Sequence, residues 1–534
     1  MRLMGAETIR QASASGWALG LGRHLRAGRI FLALGTVLLA AAVARWWGLG
    51  TQSLWFDEAY GVFIAQQPLL EIPRLLEAYD THPPFHYVFL HVWMALFGTG
   101  EVAIRLPSVI ASVGVVALTF LLARRVAGDR VGILAAILIA FSPFQITAAR
   151  EARMYPFLTL FGLGGSYALW LALEEGRRQR WLVYLLLMLL ALYTHHFALL
   201  LVLAHGVYVL AVHRTRAASG AWLRWTAVAA IAFLPLAPML FAQLTTARAW
   251  PDIRPSFGMY ALTDVLGLFS FGGGLFGMGT YFQRGTLPLE YRAAILFSFV
   301  LVVVCGVAGL GERRKRAFVL GYWLLPVLTV SVISLKWNVF YERYFSFILP
   351  PFAILLAAGV FYLADAMRRP AKAVAFVSLL ALLASFNLPA LADVYRSQET
   401  YDWRGAAQYV TARARADDFI LFIPAFTRIP FEYNFQGPQA RMGLNPPEVL
   451  AVHQRAAQGK LKLRTSVAPE QMAVISRKHP RMWTIASVAL GSEVHGRIAQ
   501  ALAPYFRQVD GKTFGLVRAS LWESRHYVGA PGRP

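Results

Sequence analysis

Two adjacent carboxylates, Asp57 and Glu58, stand in the string Leu54-Trp55-Phe56-Asp57-Glu58-Ala59-Tyr60, directly after the first long apolar run of the chain. Charges beside a membrane are costly unless chemistry or a bound partner uses them. The pair therefore marks a candidate catalytic site at a membrane surface, flanked by aromatic residues that suit the lipid–water boundary. Successive side chains on a helix diverge by about 100 degrees, so the two are not expected to act symmetrically. One faces a substrate while the other is held by a structural partner such as an arginine. Asp57 reads as a general base that takes a proton from an attacking hydroxyl. The competing reading makes both residues a charge pair at a helix N-terminus.

Four further strings place polar groups at the same depth. In Asp80-Thr81-His82-Pro83-Pro84 the prolines fix an extended entry into the next helix, so His82 is held rigidly. It serves either as a structural cap or as a contact to a phosphate or sugar hydroxyl. A metal site shared with Asp57 lacks regular ligand spacing. In Arg150-Glu151-Ala152-Arg153-Met154-Tyr155 the guanidinium forks suit phosphate. Arg153 reads as holding a phosphate or an acidic partner, with Glu151 neutralising Arg150; the alternative is snorkelling at helix ends. Tyr193-Thr194-His195-His196 and the run from Lys336 to Tyr344 add donors and aromatics. Adjacent histidines point apart on a helix, so joint metal ligation is not expected and hydrogen bonding is favoured for at least one. Lys336 and Arg343 put positive charge outside the membrane, as an anionic lipid phosphate requires. A salt bridge from Arg343 to Glu342 or Asp57 is the alternative.

The elements that must position these groups are membrane helices. Of the 534 residues, 57% are hydrophobic and only 15% charged, beyond what a water-soluble chain of this length carries. Apolar runs read as spans, which take about 17–22 residues, number eleven, some of them short, at 30–48, 104–123, 131–148, 156–173, 181–194, 196–212, 222–243, 291–310, 317–335, 345–363 and 372–390. With the N-terminal tail 1–29 in the cytoplasm, every second loop is basic, from Arg23, Arg26 and Arg29 through Arg124, Arg125 and Arg130 to Arg368, Arg369 and Lys372. Cytoplasmic loops are expected to be so, and the net charge of +23 is thereby a topology signal. Its dispersal over short loops argues against a nucleic-acid interface. The run from Pro84 to Phe97 is read as a helix lying at the outer interface. All the unusual polar residues then fall on the outer face, in loops 49–103 and 244–290 and around 149–155, Tyr193–Phe197 and 336–344.

From residue 391 onwards apolar runs shorten and strand-like Phe419–Ile423 and Met482–Ile485 alternate with helical Trp403–Arg413 and Gly496–Tyr505. This predicts a small extracytoplasmic α/β domain over 391–534, beside a polytopic α-helical membrane domain over 30–390. The single cysteine, Cys305, has no partner for an intramolecular disulfide. Gly272-Gly273-Gly274 reads as a flexible turn, not a phosphate-binding loop, because the flanking strand and helix are lacking.

The order of Trp55-Phe56-Asp57-Glu58, His82-Pro83-Pro84, Phe97-Gly98, Arg105-Leu106-Pro107-Ser108, Ser142-Pro143, Ala152-Arg153-Met154-Tyr155, Tyr193-Thr194-His195 and Glu342-Arg343-Tyr344 resembles the GT-C class of membrane glycosyltransferases. Within it the likeness is to the protein O-mannosyltransferase and aminoarabinose transferase superfamily, in its bacterial RgtA/B/C/D-like branch, over about residues 30–390. The resemblance implies transfer of a sugar from a polyprenyl-phosphate donor to a glycan, lipid or protein acceptor on the outer face of the cytoplasmic (inner) membrane, with inversion. It implies Asp57 as catalytic base, Glu58 as its companion, and His82 near the donor phosphate. The protein mannosyltransferases carry a lysine-containing stretch where this chain has Phe85 and His86, so the phosphate contacts fall to Arg150, Arg153, Lys336 and Arg343, with Tyr155, His195 and Tyr344 beside them. A lipid phosphate is already a good leaving group, so no cofactor is required and a divalent metal is optional. A transporter or lipid-carrier flippase is the alternative class, although it would favour repeated halves and polar groups near the bilayer midplane.

Overall fold

The computed structural model describes residues 27–247, 258–271, 289–337, 339–396, 401–444 and 469–528. Most of the N-terminal tail and the triple glycine at 272–274 lie outside the described residues. Helix α1 (Ala27–Trp46) leads into three short helices, α2 (Phe56–Ala65), α3 (Ile72–Tyr79) and α4 (Phe85–Phe97). The bundle continues with α5 (Glu101–Ala127), α6 (Asp129–Ala140), α7 (Pro143–Ala149), α8 (Tyr155–Glu175), α9 (Arg178–Thr194), α10 (Ala198–Val207), α11 (Arg216–Phe233) and α12 (Ala237–Ala247). It closes with α13 (Met259–Phe271), α14 (Leu289–Gly309), α15 (Arg313–Ser334), α16 (Leu349–Asp365) and α17 (Ala371–Arg396).

Among the described residues seven stretches are long and apolar enough to cross a membrane: α1, α5, α8, α11 with α12, α15, α16 with the turn before it, and α17. The pair α6 and α7, bent by 59°, makes an eighth if counted as one span. The other three expected runs fall on α9, α10 and α14, whose apolar stretches are shorter than the ~20 residues of a full crossing. Helix α4, at 13 residues, reaches only about 20 Å and cannot cross a ~30 Å hydrocarbon layer.

Two expectations change. The run 131–148 is not one straight helix: it breaks at Phe141-Ser142, where Ser142 caps α7 and Pro143 occupies its first turn. The carbonyls freed by the break are met by Arg45, which donates to Ala140 O at 2.9 Å and Ile139 O at 3.2 Å and also to Ser112 Oγ at 2.8 Å. In a bilayer such groups have no water to turn to. The stretch 244–290 is also not simply a loop, because α13 buries Val265, Leu268 and Phe269 in the helical core.

Helices α14 and α16 approach through glycines. A Cβ on Gly306 would stand 1.9 Å from the Leu355 carbonyl oxygen, and one on Gly359 1.9 Å from that of Val302. Close backbone approach of this kind substitutes for the hydrophobic drive that lipid cannot supply.

The C-terminal part is a five-stranded sheet of order β2-β1-β3-β5-β4: β1 (Phe419–Ile423), β2 (Ala440–Gly443), β3 (Arg481–Ser487), β4 (Phe506–Phe514) and β5 (Val517–Ser524). Strands β2, β1 and β3 run parallel, and β5 and β4 join antiparallel. All five residues of β1 are buried, as a central parallel strand covered on both faces requires. Ile420 and Phe422 meet α18 (Trp403–Thr411) and α19 (Arg428–Tyr433), while Phe419, Leu421 and Ile423 meet α20 (Pro469–Lys478) and α21 (Ser492–Leu502). This domain rests on the loop before α2. Arg404 N–H donates to Ser53 Oγ at 3.1 Å and its guanidinium pairs with Glu101. Ile429 and Tyr433 pack on Leu54, Ala59 and Val62.

Candidate active site

Helix α2 begins where Glu58, in its first turn, accepts the Trp55 backbone N–H at 3.3 Å. The same carboxylate takes both arms of Arg105 at 2.8 Å each and the Ala152 backbone N–H at 2.8 Å. Arg105 further donates to Leu49 O at 2.8 Å, Gln52 O at 2.9 Å and Ser53 O at 3.2 Å. One buried ion pair thus ties the loop, α2, α5 and the turn before α8 into a single unit. Glu58 is 1% exposed and its lone pairs are occupied. Of the two adjacent carboxylates it is the one held by an arginine.

Asp57, one residue earlier, points the other way with 34% of its side chain exposed. Arg153 approaches its Oδ2 at 3.8 Å and Arg343 at 3.9 Å. These are ion-pair separations, beyond hydrogen-bonding distance; among the described residues no donor bonds the carboxylate. Both arginines are held by other means. Arg153 Nη1 donates to the Asp57 carbonyl at 3.2 Å, while Arg343 lies over the Trp55 ring at 4.4 Å and reaches Glu151 at 3.9 Å. Arg153 is 4% exposed, and its Nε is buried without a partner. Burial disfavours its charge, but Asp57 and its other acidic neighbours hold it firmly cationic.

Beside them sits a second cluster. Asp80 accepts His82 Nδ1–H at 2.7 Å, Tyr87 O–H at 2.7 Å and the backbone N–H of Thr81 at 2.6 Å and of His82 at 3.0 Å. Burial alone would raise the Asp80 pKa; His82, Arg153 and Tyr87 outweigh it and bring it down to about 2. His195 Nδ1 accepts the Phe197 N–H at 3.1 Å, which places the ring proton on Nε2. The Nε2 atoms of His82 and His195 are both buried without a partner. Their rings are 5.2 Å apart, and Tyr344 packs edge-on against both, at 5.9 and 4.8 Å. Tyr155 closes the group at 6.2 Å from His195 and 6.0 Å from the Arg153 guanidinium. Burial, then the neighbouring His82, His196 and Arg153, keeps His195 neutral by pushing its pKa well below the usual range.

The structure therefore gathers Asp57, His82, Arg153, Tyr155, His195, Arg343 and Tyr344. Two assigned phosphate contacts stay outside. Arg150 donates to Gly48 O at 2.8 Å and stacks over Tyr395 at 5.1 Å; Glu151, expected to neutralise it, faces Arg343. Lys336 is exposed, with its ammonium over the adjacent Trp337 ring at 5.1 Å. Sequence reading overlooked Arg105 as the partner of Glu58. It also overlooked Gln243, which joins His196 at 2.7 Å and the His82 carbonyl at 3.0 Å. An isolated glutamine on an apolar helix is a signal for neither. Among the described residues no group of three or more His, Cys, Asp or Glu side chains is arranged to hold a metal ion.

Residues 81–241 match the family model of dolichyl-phosphate-mannose-protein mannosyltransferases. No curated protein sequence matches the chain. Among solved structures, ArnT from Cupriavidus metallidurans bound to undecaprenyl phosphate aligns with TM-score 0.56 and 13% identity, over 92% of this chain and 98% of that one. The archaeal oligosaccharyltransferase AglB from Archaeoglobus fulgidus, in complex with an inhibitory peptide and a dolichol-phosphate, aligns with TM-score 0.55 and 11% identity, over 91% and 74%. The chain thus has the polytopic membrane fold of the GT-C class of glycosyltransferases, with a small C-terminal sheet domain.

Proposed function

We propose that the protein transfers a sugar from a polyprenyl-phosphate donor to an acceptor hydroxyl at the outer face of the cytoplasmic membrane, with inversion at the anomeric carbon. The observation that carries this reading is the half-open carboxylate of Asp57 facing two buried guanidiniums. In the reaction the acceptor oxygen attacks the anomeric carbon, the bond from that carbon to the phosphate oxygen breaks, and the acceptor proton passes to Asp57. The departing lipid phosphate gains a negative charge. Arg153 and Arg343 stand ready to receive it, and preorganised donors of this kind act without reorganising at the moment of reaction. The His195 Nε2–H is a further donor for a phosphate or sugar oxygen. Asp80, itself held by Tyr87, locks the ring of His82 beside that of His195. Glu58 and Arg105 position α2 and touch no reacting atom.

The neighbours support a lipid-linked donor. The ArnT structure is one with undecaprenyl phosphate and the AglB structure one with dolichol-phosphate, and the matched family is named for a dolichyl-phosphate sugar. A panel of polyprenyl-phosphate sugars, offered to purified protein with a membrane extract as acceptor source, tests the reading in single turnover. Consumption of one donor by the wild type and not by Asp57→Asn is expected. Equal consumption by both would remove Asp57 as base.

A further inference from the structure

Helix α12 carries Gln243, which is 1% exposed. A carboxamide this deep must find partners, and its three side-chain hydrogen bonds all leave its own helix. Nε2 donates to Leu76 O at 3.2 Å, near the end of α3, and to His82 O at 3.0 Å. Oε1 takes the Nε2–H of His196 at 2.7 Å. Carbonyl oxygens only accept, so the amide atom that meets two of them is the nitrogen, and the imidazole at the other atom is the donor. Pro83 and Pro84 bring no N–H to the turn that follows His82; its carbonyl is met by this side chain instead.

Two of these partners belong to the segments that bring imidazoles to the candidate site. One segment carries His82, whose ring is fixed by Asp80 and whose carbonyl is fixed by Gln243. The other carries His195, next to His196 in the turn between α9 and α10. The two rings stand 5.2 Å apart, with Tyr344 edge-on to both. A side chain that served only to seat α12 would have no need to join these two segments. We propose that Gln243 is a positioning residue of the site: it sets the separation of the His82 and His195 imidazoles, and so places the His195 Nε2–H for the donor, without touching a reacting atom.

The chemistry of the position is specific to a carboxamide, which supplies two N–H donors and an acceptor at once. A glutamate here would repel both carbonyls, and a methionine of the same length would meet none of the three partners. A fully satisfied buried network of this kind rigidifies what it joins. Rigidity matters because a misplacement of about 1 Å at a reacting centre costs on the order of 100-fold in rate. The effect of Gln243 on rate rests on the transferase reading; its hold on the two rings does not.

Single-turnover donor consumption against donor concentration, with full-length protein in detergent, tests the role. In Gln243→Met the saturating rate is expected to fall about tenfold or more, while the half-saturating donor concentration moves less. His196→Leu should reproduce the loss, and His196→Gln, whose carboxamide can reach the same Oε1, should restore most of the rate. In a His195→Ala background Gln243→Met should cost less than about twofold, because a residue that acts through another adds nothing once that other is gone. A wild-type rate in folded Gln243→Met, or its full loss repeated without His195, would overturn the proposal. If Gln243→Met does not fold, the half-buried His196 decides: equal rates in His196→Leu and His196→Gln would overturn it. Histidine-selective ¹⁵N NMR on the same proteins needs no donor, and the His82 and His195 ring signals are expected to move in Gln243→Met or His196→Leu. Moved signals in a protein whose wild type consumes no donor would remove the transferase reading and leave Gln243 its hold on the rings. Unmoved signals would overturn the proposal and leave the transferase reading standing.

Discussion

The two faces of α2 treat neighbouring carboxylates in opposite ways. On one face Glu58 is fully buried and saturated by Arg105 and two backbone N–H groups. On the other, Asp57 is partly exposed, and its two arginines stop 3.8 and 3.9 Å short. A charge with every lone pair filled can hold a structure and can do no chemistry. One that is near cations and bonded to none can accept a proton. The rigid face makes the open face usable, since Arg105 fixes the loop from which α2 starts.

Several substitutions break or sharpen this contrast. The largest effect is expected from Asp57→Asn, which should slow transfer by about 10²- to 10⁴-fold, the usual worth of a general base, while the thermal melting point barely moves. Loss of folded protein in this variant would undo the distinction between the faces. The reverse pattern is expected of Glu58→Gln and Arg105→Leu. Breaking a buried pair costs roughly 3–5 kcal/mol, visible as lower melting temperature and poorer recovery in detergent.

Arg343→Lys and Arg153→Lys retain charge but lose the planar fork. A fall of about 10²-fold in single-turnover rate is expected, with donor affinity less affected than rate. A smaller, pH-dependent effect belongs to Asp80. Its folded pKa of about 2 lies below the ordinary carboxylate value. The carboxylate therefore contributes stability that is fully present above about pH 4 and lost as pH falls towards 2. Asp80→Asn should remove roughly 2 kcal/mol at pH 7 and flatten the acid limb of the stability curve, measured by thermal melts across pH. The smallest effect is expected from Lys336→Ala. Because Lys336 stands outside the cluster, activity should stay within about twofold; a tenfold loss would return it to the site.

Much of this arrangement was legible in the residues. The helical membrane domain followed from apolar run lengths, and β1 was read with its observed ends, Phe419–Ile423, because a short, wholly apolar run is what a strand covered on both faces requires. The antiparallel pair β4 and β5 went unread. β4 is mostly exposed and polar, so it carries no hydrophobic period. The break between α6 and α7 was hidden for a similar reason: the run stays apolar across it, and the residue that satisfies the freed carbonyls, Arg45, lies some 95 positions away.

The sequence by itself determined that the chain crosses a membrane repeatedly and that Asp57 and Glu58 face different surroundings, because hydrophobic length and helical periodicity are local properties. It also marked Arg153, His82, His195 and Arg343 as unusual, since charge and imidazole are costly at that depth. Only the tertiary structure decided which carboxylate is filled and which is open, and which cations stand with Asp57. Those choices depend on pairings such as Glu58 with Arg105 and Asp57 with Arg343, 47 and 286 residues apart in the chain. Sequence spacing carries no record of a distance that folding alone sets.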